Sequence, residues 1–211
     1  MRIEFQNIGK RFQGKWLFRH LHLSFESGDR VGITGQNGSG KSTFTQIASG
    51  FLSPTEGELT WSEGDLTIGV EDIWKHISWC SPLLELPGSL NIDEVLSLQM
   101  KMRDLGGHTH EEMLGELNLE AHAKKKLDDL SSGMIQRLKL LLAFNTKSQL
   151  LILDEPASHL DQEWQVWLDS KLATTTTDRL VLIASNHHAL ELKHCNKWVQ
   201  ISPDGPISAD H

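Results

Sequence analysis

Cysteine is scarce, tyrosine is absent, and positive charge is in deficit. Only two cysteines occur in 211 residues. Cys80 and Cys195 form no CxxC pair and no zinc-type spacing, which argues against a disulfide framework and predicts a reduced, cytosolic setting. Lys and Arg number 20 against 28 Asp and Glu, a net charge of −8. A domain that grips nucleic acid through its phosphates is usually basic, so no nucleic-acid partner is expected. Long apolar runs are missing too. Leu140–Phe144 and Leu180–Ala184 are the longest, far short of the ~18–20 residues that a membrane helix needs. The opening MRIEFQNIGK lacks the apolar stretch of a secretory leader, and none is expected. Histidines are plentiful, at eleven, but scattered. His108/His110 and His187/His188 lack matching cysteine or carboxylate patterns, so they read as surface or core residues rather than metal ligands.

What is present is a patterned α/β chain of single-domain length. Arg2–Gln6 and Trp16–Phe25 alternate apolar and polar residues, as half-buried strands do. Arg30–Thr34 reads as a short buried strand, Lys41–Ala48 as a helix stopped near Gly50, Ser53–Ser62 as a turn and strand, and Ile77–Ser81 as a strand. The stretch 83–145 changes character. Asn91–Met102, Glu111–Leu117, His122–Leu127 and Met134–Phe144 read as helices, without strands. Leu150–Leu153 and Leu180–Ala184 are continuous apolar runs, as expected for central strands of a parallel sheet covered on both faces. The helical Gln162–Leu172 between them implies a right-handed crossover.

Gly35-Gln36-Asn37-Gly38-Ser39-Gly40-Lys41-Ser42 fits G-x-x-x-x-G-K-[ST] at every fixed position. A triphosphate carries about four negative charges, and a loop that holds it must bring main-chain N–H groups close without bulky side chains in the way. The helix that follows adds its N-terminal N–H groups and positive dipole end. Lys41 is placed to reach the β- and γ-phosphates, the Ser42 hydroxyl to ligate magnesium, and Thr43 to extend the cradle. A strand before the loop and a helix after it supply the context that the motif requires.

Leu150–Leu153 runs directly into Asp154-Glu155-Pro156. Two carboxylates at the end of a buried strand are costly unless a cation meets them. In a P-loop protein that cation is Mg2+, held by Asp154 largely through water. Glu155 is then the candidate general base for the attacking water.

With these two motifs in place, Leu130-Ser131-Ser132-Gly133-Met134-Ile135-Gln136-Arg137 decides the family resemblance. The segment is similar to the LSGGQ signature of the ATP-binding cassette (ABC) ATPases, the nucleotide-binding subunits of ABC transporters. A phosphate loop, this signature and an LLILDEP strand, in that order, resemble the family over essentially the whole chain. The resemblance implies a P-loop NTPase core with a mostly parallel sheet, an N-terminal antiparallel β subdomain, and a helical insert. On that basis one domain spans 1–211, with 1–82 and 146–211 as the nucleotide-binding core and 83–145 as the helical subdomain. It also implies two cassettes, identical or not, sandwiching two ATP molecules head to tail. Ser131, Ser132 and Gly133 of one cassette then face the phosphate loop of the other. Ser158-His159-Leu160-Asp161 resembles the loop that touches the partner cassette. Lys10-Arg11-Phe12 resembles the site where the family stacks an aromatic on adenine; without tyrosine, that role falls to Phe12, with Trp16 second.

Two family residues are missing. Aligning Ile77–Ser81 puts Pro82 where the family carries a glutamine that helps hold the metal, and proline has no side-chain acceptor. The switch histidine falls on Asn186 in Ser185-Asn186-His187-His188, with His187 one step on as a substitute. Asparagine can hydrogen-bond but cannot carry positive charge. Slow hydrolysis with binding intact is the expectation. The implied function is an ATP-hydrolysing subunit, peripheral on the cytoplasmic face of a membrane, powering a separate membrane-spanning subunit docked near Pro82–Val95. Two alternatives stand beside it: a soluble ABC ATPase not coupled to transport, and a weakly hydrolysing nucleotide switch. The roughly 90 residues between Lys41 and Ser131 leave no room for the long coiled coil of DNA-repair relatives.

Overall fold

A computed structural model describes residues 1–174, 178–186, 189–202 and 207–209. The chain opens with β1 (Arg2–Phe12), β2 (Lys15–Glu26) and β3 (Arg30–Thr34), then α1 (Lys41–Ala48). Next come β4 (Glu56–Glu63), β5 (Leu66–Ile68) and β6 (Ile77–Cys80). Three helices follow: α2 (Ile92–Met102), α3 (His110–Leu117) and α4 (Ser132–Asn145). The chain continues through β7 (Leu150–Asp154), α5 (Gln162–Thr174), β8 (Leu180–Ala184), α6 (Ala189–Leu192), β9 (Lys197–Gln200) and β10 (Ile207–Ala209).

Two sheets result. The first is antiparallel, in the order β2-β1-β4-β5. The second runs β10-β9-β3-β8-β7-β6 and is parallel except at the β10 edge. This is the α/β architecture that the family resemblance implied. Every residue of β7 and β8 is buried, as strands covered on both faces must be. One apolar cluster fills the space between the two sheets around α1, where the Phe44 ring stacks on Phe5 at 4.9 Å. The other lies on the opposite face, under α2, α4 and α5.

Several boundaries differ from the sequence reading. The first two strands are longer than the alternation indicated and meet at a two-residue turn, Gln13-Gly14, with φ of 48° and 83°. Positive φ at both turn positions matches the twist of a hairpin, which keeps the strands paired right up to the turn. Alternation fades in this part of β1 because Asn7 is in the left-handed region and the register shifts there. His122–Leu127 is not a helix. Two short 3-10 turns, Glu120–His122 and Leu127–Asp129, are joined by a further turn over 123–125 that ends in the extended Lys126. Asn91 and Lys126 form a bridge, and Leu127 N–H donates to Leu90 O at 2.8 Å, so tertiary pairing takes the hydrogen bonds that a helix would have used.

Candidate nucleotide site

β3 carries the chain out of the parallel sheet into the glycine loop, and α1 starts on its far side. Gly40 caps α1 at φ 107°. A Cβ there would lie 2.6 Å from Leu17 Cδ2, so only glycine admits the β2 side chain this close. Gly35 is equally confined: a Cβ would meet Ser39 Oγ at 2.5 Å and Ile201 O at 2.7 Å. The Lys41 ammonium is buried and donates to Gly35 O at 3.0 Å and Gln36 O at 3.3 Å. It thus spans the loop, held by neutral carbonyls.

A cleft of 460 Å³ opens beside the loop, lined by Phe12, Leu17, Asn37, Gly38, Gly40, Lys41, Ser42, Thr43 and Glu155. Most of the sequence candidates therefore converge. Gln36 is exposed outside the lining, while Gly35 and Ser39 form the buried floor of the loop. Phe12 is 49% exposed at the cleft mouth, with Lys10 Nζ 5.0 Å from its ring centre. Trp16 is absent from the lining. Its ring carries the guanidinium groups of Arg11 and Arg19 at 5.2 and 4.3 Å instead.

Asp154 ends β7 and is 1% exposed. Its Oδ2 accepts from Ser81 Oγ at 3.2 Å, while Oδ1 is buried with no hydrogen-bond partner among the described residues. Burial pushes the carboxyl above its ordinary range, and neighbouring Glu155 adds to the rise. The Ser42 and Ser81 hydroxyls and the Lys41 ammonium pull the other way without overcoming it. An orphaned buried carboxylate oxygen, hard in the sense of ligand chemistry and close to the Ser42 hydroxyl, fits a divalent cation such as Mg2+. Ser81 escaped the sequence reading. The residue after β6 that addresses Asp154 is Ser81, whose hydroxyl also accepts from Leu83 N–H at 3.2 Å. Pro82 lies exposed beyond it. The useful signal was the strand boundary: β6 stops at Cys80 rather than Ser81.

Glu155 bends into the left-handed region at φ 48°, a conformation that costs a non-glycine residue about 1–3 kcal/mol and survives only where neighbours hold it. Asn186 Nδ2 donates to Glu155 Oε1 at 2.5 Å. The asparagine in the switch position therefore reaches the carboxylate directly. His187 lies outside the described residues.

The signature residues are not brought to this cleft. Ser131 caps α4, its Oγ accepting from Met134 N–H at 3.3 Å, and Ser131 and Ser132 are exposed. Gly133 packs against the segment after β7: a Cβ there would lie 2.9 Å from His159 O. Arg137, one turn on, pairs with Asp161.

The family model for ABC transporters matches residues 18–158, from β2 through the strained turn after β7. The chain belongs to the ABC transporter family. The cassette is 32% identical over 166 residues to the zinc import ATP-binding protein ZnuC of Rhizobium meliloti (strain 1021), covering 79% of this chain and 51% of that protein. It is 33% identical to the tungstate uptake system ATP-binding protein TupC of Peptoclostridium acidaminophilum, covering 78% of this chain and 76% of that one. It thus spans about half the length of the first of these relatives. Among solved structures, the fold matches an ATP-binding subunit of an ABC transporter at TM-score 0.82 and 20% identity, covering 100% of this chain and 90% of the other. It also matches a dimeric post-hydrolysis state of the cassette MJ0796 bound to ADP and Pi at TM-score 0.81 and 19% identity, covering 98% of each.

Proposed function

We propose that this cassette binds and hydrolyses ATP, pairs with a second cassette when ATP is bound, and powers a separate membrane-spanning transporter subunit. One observation carries the reading. A loop-bridging lysine and a strained glutamate line one cleft, and the orphaned oxygen of buried Asp154 lies behind it, next to Glu155 and within reach of Ser42 and Lys41. The loop amides and Lys41 bind the phosphates, and Phe12 at the cleft mouth offers a face for adenine. Ser42 and Asp154 would hold Mg2+, which when bound neutralises phosphate charge. Glu155 orients the attacking water and draws its proton, while Asn186 fixes the Glu155 carboxylate. Because Asn186 cannot add positive charge near the γ-phosphate, turnover is slow relative to a cassette with histidine there.

The exposed Ser131 and Ser132, remote from the cleft of their own chain, favour a site completed by a second copy or a related cassette. The stretch 83–145 is read as one helical subdomain that presents them. A membrane subunit is supported by a second, mostly apolar groove of 370 Å³ between the core and α2, with Phe51, Trp74, Leu84 and Leu86 in its lining. No described helix is long and apolar enough to cross a membrane, so a peripheral position on the cytoplasmic face is proposed. The deciding experiment is titration with fluorescent ATP. Lys41→Ala is expected to weaken binding by about 100-fold or more, and retained affinity would remove the loop from the account.

A further inference from the structure

The strained turn after β7 is gripped at three successive residues by three different elements. Glu155 N–H donates to Ala184 O, the last residue of β8, at 2.9 Å. Pro156 O accepts from Gln136 Nε2 at 3.1 Å, and Gln136 is 5% exposed on α4, just past the signature. Ala157 N–H donates to Glu191 Oε1 at 2.8 Å. Glu191 is itself 3% exposed, set between Leu190 and Leu192 on α6. Burying a carboxylate in such a place is costly unless its hydrogen bonds matter. Packing alone would be served as well by another leucine.

We propose that Glu191 is a positioning residue for hydrolysis. Its carboxylate fixes the Ala157 amide and, with Gln136 on the other side, holds the Glu155 backbone in the left-handed turn that aims its side chain into the cleft. The inference rests on the reading of Glu155 as the group that activates water. Its consequence is a physical linkage. α4, which begins at the signature, and α6, which follows the Asn186 segment, hold neighbouring peptide groups of one strained turn, so a shift of either helix displaces Glu155.

The test compares wild type with Glu191→Ala, Glu191→Gln and Gln136→Ala in the full chain. Glutamine keeps an oxygen acceptor for Ala157 N–H; alanine does not. Glu191→Ala is expected to lower kcat about tenfold or more while KM and the affinity for fluorescent ATP stay put, and Glu191→Gln to recover to within about threefold of wild type. Wild-type kcat in Glu191→Ala overturns the proposal, as does a loss shared equally by KM, or a glutamine variant as impaired as alanine. Should Glu191→Ala not fold, Gln136→Ala is held to the same kcat-only loss. Amide hydrogen exchange gives a readout independent of turnover. Exchange at Ala157 is expected to rise about tenfold or more in Glu191→Ala and to stay near wild type in Glu191→Gln. Unchanged exchange in the alanine variant refutes the clamp. Intact exchange differences in an enzyme that never hydrolyses ATP refute only the role of Glu155.

Discussion

Asp154 must be ionised to hold a cation, yet its surroundings oppose ionisation. The carboxyl is buried, one oxygen has no partner among the described residues, and Glu155 adds like charge. Its folded pKa is raised, so the stability linked to this group is fully present at low pH and is lost as pH rises through the folded value. At pH 8 the nucleotide-free cassette therefore carries a strain that an uncharged isostere relieves. Asp154→Asn is expected to raise the melting temperature of the metal-free protein at pH 8, with the gap to wild type closing on acidification. The same variant should lose hydrolysis on the order of 100-fold and gain less thermal stability from Mg-ATP than wild type does. Calorimetry across pH, with and without nucleotide, reads the thermal effects, and a phosphate-release assay reads the loss of turnover.

Among the elements, the junction of α3 with α4 and α5 turns on Glu116. Its carboxylate accepts from Trp167 Nε1 at 3.0 Å and Asn145 Nδ2 at 3.2 Å, and pairs with Lys171 at 2.7 Å. Burial alone would raise its pKa, but Lys171, Asn145 and Trp167 together bring it below the ordinary 4.5. The stabilisation is thus present above that ordinary value and disappears as pH falls through the lower folded one. Glu116→Ala should cost about 1–3 kcal/mol near neutral pH, because it strands the indole and amide donors. Urea unfolding should show the difference shrinking as the pH falls below the ordinary 4.5 and through the lower folded value. A second junction is formed by Arg179, which donates to Ala143 O, Phe144 O and Thr146 O at 3.1, 3.2 and 2.9 Å. Burial lowers its pKa to about 10, and it closes the carbonyl end of α4 from the loop before β8. Neither junction was legible in the sequence. Both join residues remote in the chain, and no periodicity marks such pairs.

For the whole molecule, the decisive geometry is the separation of the signature from the cleft. Ser131 and Ser132 are exposed at the start of α4 and are not among the residues lining the nucleotide cleft, and the proposed two-cassette sandwich would bring them to the partner's phosphate loop. Glu155→Gln should bind ATP but not turn it over, and should shift from monomer to dimer on gel filtration when ATP is added. A variant that stays monomeric at saturating ATP overturns the sandwich for the isolated cassette. The Gly133 contact with the His159 backbone and the Arg137–Asp161 pair tie the signature to the loop after β7, and in the proposed sandwich both would face the partner as one surface.

The phosphate loop, the carboxylate strand and the buried runs of β7 and β8 could be read from the chain alone. Their physical requirements are local: glycine where backbone must approach an anion, a helix start after it, and apolar residues without interruption where both faces are covered. Only the folded chain placed Ser81 against Asp154, Asn186 on Glu155 and Glu191 on Ala157. It also moved the residue after β6 from Pro82 to Ser81, and turned His122–Leu127 from a helix into a series of turns closed by the bridge at Lys126. Those outcomes depend on which segments, far apart in sequence, compete for the same hydrogen bond, and that competition is resolved only when the sheets and helices meet.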